Sequence, residues 1–446
     1  MARRVAAVLA LTVALVSTLV VGRADHAAAG EPAIHPDNRP TPVEHHENGR
    51  LPDELLIKVA PGCEALREAA PSLGLLMATA RRDAVVLTTR ECYRPIDEQV
   101  AVRQQWTARG NSACAAPVRH DADGRPIGTS NHGWGKAVDF GDARGALGFN
   151  SPAYGFLKAY AGRVGWNHPG WAEPGGSACP EAWHWEWVGD GGTMGGDPIR
   201  ADVVGLLATS SGDGYSGVTG LGAVGHRGDA GDHGDASGLP LNWLVVGGDR
   251  APAGAGYWLV AADGGVFGYG SATFHGSTGH LPLNQPIVGM AAAPDGGGYW
   301  LVASDGGVFA FGTSRFHGSL GDTVLRRPIV AMAATATGDG YWLVASDGGV
   351  FAFGDARFHG SLGDGAVPRP IVDVAVTPDG GGYWLAGADG AVYPFGTATD
   401  FGSMAGEALN LPVVGMATAP GGGGYWLVAA DGGVFGFGSA RFHGPV

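Results

Sequence analysis

Two histidines, an aspartate and a glutamate carry the chemistry that this sequence offers. His132 and Asp139 stand seven residues apart in TSNHGWGKAVDF (129–140), and Glu181 stands three residues before His184 in PEAWHWEW (180–187). A reactive zinc site takes three protein ligands from His and carboxylate and leaves a further position for water. His132, Asp139 and His184 meet that count for one zinc ion. Glu181 is then free to take a proton from water as it attacks a carbonyl. Singly, a His/Asp pair or an E-x-x-H reads as readily as ordinary structure. Their occurrence together in one stretch points to metal-assisted hydrolysis.

Such a site needs a scaffold, and residues 56–200 read as an α+β domain. EAWHWEWV has the alternation of a strand, so Glu181 and His184 belong to a strand and its approach loop. PIDEQVAVRQQWTARG has helix signals at both ends: Pro95 with Asp97 and Glu98 at the start, Gly110 at the stop. Ser151 and Pro152 open another helix, a further helical segment follows Cys63 with a break or restart at Pro71, and DAVVLTT reads as a strand. Gly133 and Gly135 let the backbone bend near the metal. Trp134, Trp183, Trp185 and Trp187 read as packing around the site, with one of them free to line a cleft. His120 and His168 lie near the motifs and read as ordinary loop histidines, the alternative being that one of them supports a metal ligand from behind.

The N-terminus reads as an export signal over 1–29: Arg3 and Arg4, an apolar run from Val5 to Gly22, then HAAAG with cleavage expected after Ala29. Left uncleaved, the same run would anchor the protein in a membrane. The chain is therefore expected to be secreted or associated with the cell wall. Residues 30–55 are polar and Pro-rich and read as a linker, in which His45 and His46 are incidental. Cys63, Cys92, Cys114 and Cys179 have no C-x-x-C spacing and suit two disulfides in an exported protein. Three pairings are open, and Cys92–Cys114 with Cys63–Cys179 is the one favoured. A net charge of −14, with Lys58, Lys136 and Lys158 as the lysines, argues against nucleic acid as a partner.

Beyond residue 200 the chain repeats. Tyr257-Trp258 recurs at Tyr299-Trp300, Tyr341-Trp342, Tyr383-Trp384 and Tyr425-Trp426, always after 42 residues. Asp263, Asp305, Asp347, Asp389 and Asp431 keep the step, as do His275, His317, His359 and His443, with Phe401 in the remaining place. Tyr215 and His233 mark an eroded first copy over about 201–242. Each unit reads as four short strands: PIVGMAA, GYWLVAS, then VFAFG after a DGG turn, and RFHGS. Residues 201–446 are thus expected to form a six-bladed β-propeller, closed blade against blade with no exchanged strand. The Tyr-Trp pairs read as core between blades. The alternative is that exposed aromatics bind sugar, with repetition giving multivalency.

The motifs of the first half resemble those of a known family. SNHGWGKAVD (130–139) matches the S-x-H-x-x-G-x-A-x-D pattern of the zinc D-alanyl-D-alanine carboxypeptidases, the VanY-like family. EAWHWEW resembles its second motif, usually E-P-W-H-W-E, with Ala182 in place of the Pro. CYRPIDEQ resembles its Y-R-x-x-x-E-Q segment, with Cys92 where Ser often stands. The resemblance covers about 60–190. It implies zinc on His132, Asp139 and His184, Glu181 as base, Arg94 at the scissile carbonyl oxygen, and Ser130 beside the metal helping to bind the substrate's polar end. The activity it implies is hydrolysis of peptidoglycan stem peptides, most simply removal of a terminal D-Ala, with the propeller targeting the enzyme to cell-wall glycan. An endopeptidase cutting L-Ala–D-Glu, or a wall-binding protein without turnover, are the competing readings. A carboxypeptidase must also hold a free carboxylate. Arg103, Arg119 and Arg125 are the candidates by proximity in sequence.

Overall fold

The computed structural model describes residues 42–83, 85–177, 179–189, 202–252, 255–363, 367 and 369–446. The expected signal segment, most of the linker and the junction near residue 200 lie outside them. Among the described residues no helix is long and apolar enough to cross a membrane.

The N-terminal half is α+β. Its elements are β1 (Leu56–Ala60), β2 (Cys63–Leu66), α1 (Ala70–Arg82), β3 (Thr88–Glu91), α2 (Ile96–Ala108), β4 (Arg119–His120), β5 (Pro126–Ile127), β6 (Ala137–Asp142), β7 (Gly145–Ala146), α3 (Pro152–Tyr160), β8 (Trp166–Asn167) and β9 (His184–Trp187). The main sheet runs β3-β6-β9-β8, with β7 on β6. Helix α3 starts where expected, because the Ser151 hydroxyl accepts from Ala153 N (3.2 Å) and Pro152 occupies the first turn. It buries Ala153, Phe156 and Leu157 against the core. The helical segment expected after Cys63 begins only at Ala70, and Cys63–Leu66 is a strand paired with β1.

The disulfides are Cys63–Cys92 and Cys114–Cys179, with Cα–Cα separations of 5.1 and 5.5 Å. This corrects the expected pairing. Tyr93 N donates to Glu64 O (2.8 Å), so the end of β3 returns beside the start of β2 and carries Cys92 to Cys63. Sequence spacing does not reveal which loops converge in this way. Part of the stretch read as a linker is packed as well: Asn48 and Leu51 are buried, and Leu51 N donates to the Tyr93 hydroxyl (3.0 Å).

The described residues of the C-terminal half form six three-stranded antiparallel sheets. The middle strands, such as Gly298–Ala303 (GYWLVA), are buried at every position. Among the described residues the expected fourth strand is absent. RFHGS is instead an irregular tail whose backbone is held by side chains. Trp300 Nε1 donates to Arg315 O (2.7 Å), and His317 N donates to the Tyr341 hydroxyl of the next unit (3.1 Å), which in turn donates to Gly318 O (2.6 Å). Side-chain partners thus satisfy the polar groups that a strand ladder would otherwise take. The sixth tail closes on the first unit in the same manner: His443 N donates to the Tyr215 hydroxyl and Tyr215 donates to Gly444 O. First strands lie side by side in cyclic order, with Val413–Thr418 against Val203–Ala208.

The halves touch. Lys58 N donates to Asn242 O (3.1 Å), and Arg67 Nη2 donates to Ser237 O and Leu239 O. Leu244 lies so close to Gly74 of α1 that a Cβ there would stand 2.6 Å from its Cδ1. One continuous apolar cluster joins Leu56, Ile57 and Leu73 to Leu241, Leu244 and Tyr215.

Candidate metal centre

Strand register does the first part of the positioning. On β6, Asp139 lies opposite His184 of β9 on one side and Glu91 of β3 on the other. His132 comes from a tight helical turn, Asn131–Trp134, just before β6. Ser130 caps that turn, its hydroxyl accepting from His132 N (3.3 Å). Gly135 ends the turn with φ +62°, in the left-handed region that favours glycine. Gly133 has a different reason: a Cβ there would meet Asn48 Oδ1 at 2.0 Å and Gln99 Nε2 at 2.3 Å. Asn48 Nδ2 donates to Ser130 O (2.8 Å), and Gln99 Nε2 donates to Asn48 Oδ1 (2.9 Å) and Arg94 O (3.1 Å). These bonds lock the turn against the start of α2.

Three ligand atoms converge as a result. His132 Nε2, Asp139 Oδ1 and His184 Nδ1 stand 3.0–3.2 Å apart. Ligands about 2.0–2.1 Å from a tetrahedral zinc lie roughly 3.3 Å from one another, so the donor set fits the ion in type and spacing. The outer ring nitrogens explain why the inner ones face each other. His132 Nδ1 lies 2.7 Å from Cys92 O, and His184 Nε2 lies 3.0 Å from Glu186 Oε1. Both partners only accept, so both outer nitrogens carry hydrogen and the lone pairs turn inward.

Electrostatics agree. Burial works to raise the Asp139 carboxyl, but His132 and His184 hold it far below the usual range. Burial works against charge on His184 too, yet Asp139 and Glu186 push it up to about 10 without a metal. The metal-free cluster therefore keeps one extra proton where a cation would bind.

Glu181 lies at the edge of the cluster, Oε2 4.0 Å from His184 Nδ1. Its carboxyl is raised to about 7, first by burial, with Asp139 adding and His184 and Arg94 opposing. Its backbone is fixed by Glu181 N to Ala172 O (2.8 Å) and by His168 Nε2 at its carbonyl (2.9 Å). Arg94 is buried, paired with Glu91, and its Nη1 is 3.5 Å from Ser130 Oγ. Burial alone would weaken its charge, and Glu91, with Asp139 and Glu181 adding, more than offsets that. Ser130 is thus tied both to the His132 turn and to Arg94.

Of the remaining candidates, His168 is brought to Glu181 and His120 is exposed on the β4–β5 hairpin. Arg103 caps Ser112 O and Ala115 O, and Arg125 pairs with Glu47 on the surface. Sequence reasoning missed Glu186, its partner Asn131 (Nδ2 to Oε1, 2.8 Å), Asn48, and Trp171, whose ring lies 4.9 Å from that of His184. For Glu186 a signal existed: two residues along a strand from His184, it shares that residue's face.

Comparison with known proteins agrees with this geometry. Residues 64–190 match the family model VanY, D-alanyl-D-alanine carboxypeptidase, so this segment is a VanY-type domain. The family places it among zinc-dependent, carboxypeptidase-like hydrolases of peptidoglycan peptides. No curated protein matches the chain. Two disulfides suit an extracellular setting.

Proposed function

We propose that the chain is an exported D,D-carboxypeptidase that removes the terminal D-Ala from peptidoglycan stem peptides. In this reading residues 56–200 are the peptidase, and 201–446 form a six-bladed propeller that binds the wall. The convergence of His132 Nε2, Asp139 Oδ1 and His184 Nδ1 carries the enzymatic part. The cyclic order of first strands and the closure of the last tail on Tyr215 support the propeller.

His132, Asp139 and His184 would hold one zinc ion, with Glu186 and Cys92 O orienting the imidazoles. When bound, zinc supplies Lewis acidity and lowers the pKa of a water toward about 7. Glu181 accepts the proton of the attacking water and returns it to the leaving amine, a role that suits a carboxyl raised by burial. Arg94, kept charged by Glu91, donates to the carbonyl oxygen as it gains charge. Ser130 sets the Arg94 side chain and the His132 turn.

A pentapeptide ending in D-Ala-D-Ala should release free D-Ala, and amidating its C-terminus should sharply reduce kcat/KM, since a carboxypeptidase must recognise that free carboxylate. Release of the tail from the D-Glu position instead, with indifference to amidation, would favour the L-Ala–D-Glu endopeptidase. That second reading draws on one observation: Arg103 and Arg125 are engaged elsewhere and Arg119 is exposed on β4, so none of the three is a buried partner for a carboxylate.

A further inference from the structure

Four phenylalanines of the array face solvent in equivalent places. Phe274, Phe316, Phe358 and Phe442 are 58, 59, 60 and 50 % exposed. At the same place the first and fifth units carry Asp232 and Asp400. The tail is nevertheless anchored alike in all six units, since a Tyr hydroxyl donates to Gly234, Gly276, Gly318, Gly360, Gly402 and Gly444 O. A charged residue therefore serves the fold here, and packing does not explain the aromatic ring.

The backbone on either side of each ring is also held. The carbonyl just before it, on Thr273, Arg315, Arg357 or Arg441, accepts from a buried Trp Nε1 at 2.7 Å. The amide just after it, on His275, His317, His359 or His443, donates to the next unit's Tyr. A ring carried on backbone fixed on both sides has less freedom to lose on binding than one on a loose loop. Exposed Arg315, Arg357 and Arg441 each add hydrogen-bond donors beside a ring.

Single rings, one in each of four of the six units, do not make the contiguous apolar core of a protein interface. They fit a polymer that repeats as they do, whose sugar rings present an apolar C–H face flanked by hydroxyls and carboxylates. We propose that Phe274, Phe316 and Phe358, in three consecutive units, together with Phe442, are stacking platforms that hold the glycan strands of peptidoglycan. The choice of peptidoglycan rests on the function proposed above.

The test uses the full-length protein and peptide-free glycan strands prepared from sacculi, with binding read by co-sedimentation. The triple variant Phe274→Asp, Phe316→Asp, Phe358→Asp introduces the residue that two units already carry. Its affinity should fall on the order of 10²-fold as multivalency is lost, with unchanged melting temperature and unchanged hydrolysis of a soluble pentapeptide. The corresponding Phe→Ser triple should fall comparably, separating lost stacking from new negative charge. Wild-type binding by either triple variant overturns the proposal. So does a wild-type protein that binds only wall material still carrying anionic polymers. Glycan binding through these rings without any peptide hydrolysis would support the proposal and sink the peptidase reading.

Discussion

In the metal centre, His132 and His184 each bond an acceptor through the outer nitrogen and turn the inner one toward Asp139. In the array, His275, His317, His359 and His443 bond through the backbone amide, and their rings pack edge-on to a Tyr at 5.6–5.8 Å. Aspartate divides the same way. Asp139 faces two imidazoles, whereas Asp263 accepts from Gly265 N (2.9 Å) to close a turn, as Asp305, Asp347 and Asp431 do in their units. The contrast shows that residue type does not decide the role. In the metal centre the inner ring nitrogens face one another and a carboxylate, whereas the ring Nε2 atoms of the array histidines are buried with no polar partner to converge on among the described residues.

That contrast can be broken by mutation. His132→Ala, Asp139→Ala or His184→Ala should each take bound zinc from one ion to none and reduce hydrolysis to background, because three ligands leave no redundancy. Metal analysis of the purified variants checks this. Retention of zinc by any of them would mean that the ligand set is wrong. His317→Ala should do neither.

Next in size is Trp342→Ala, which removes a buried ring together with its bond to Arg357 O. Chemical denaturation should show a loss of about 3–5 kcal/mol, while hydrolysis of a soluble peptide persists in the folded protein. A shift within error would mean that the Tyr-Trp pairs are not the core of the array.

Glu186→Gln sharpens the comparison inside the site. It keeps the shape but replaces the carboxylate at His184 Nε2, so zinc affinity should fall by roughly 10–100-fold. Chelator competition measures it, and an unchanged affinity would remove Glu186 from its orienting role. The same assay run against pH gives the smallest effect. His184 sits at about 10 in the metal-free chain, so between pH 6 and 8 zinc must displace a proton. Apparent affinity should rise with pH by up to about tenfold per unit. A flat profile would mean that the cluster holds no such proton.

Much of this was legible in the sequence, for identifiable reasons. The ligands were readable because two short motifs, a turn running into one strand and the start of another, carry them. The repeat units were readable because Tyr-Trp and Asp-Gly keep a fixed step. The tail was misread as a strand because RFHGS has strand-like composition, while the bonds that hold it come from a Trp 15 residues earlier and a Tyr 24 residues later. The disulfides depend on where β3 ends relative to β2, and Asn48 acts on Ser130 across 82 residues. Contacts of that range have no local signature. The exposed rings of Phe274, Phe316 and Phe358 were hidden among aromatics that the same repeat buries.

The central claim is that Glu181 moves the proton at a zinc site built by His132, Asp139 and His184. Glu181→Gln, assayed at once for zinc content and for D-Ala release from a D-Ala-D-Ala pentapeptide, tests it most directly. The account predicts one zinc ion per chain, as in the unmodified protein, and a fall in kcat of about 10²–10⁴-fold. Loss of the metal, or turnover close to that of the unmodified protein, would contradict it.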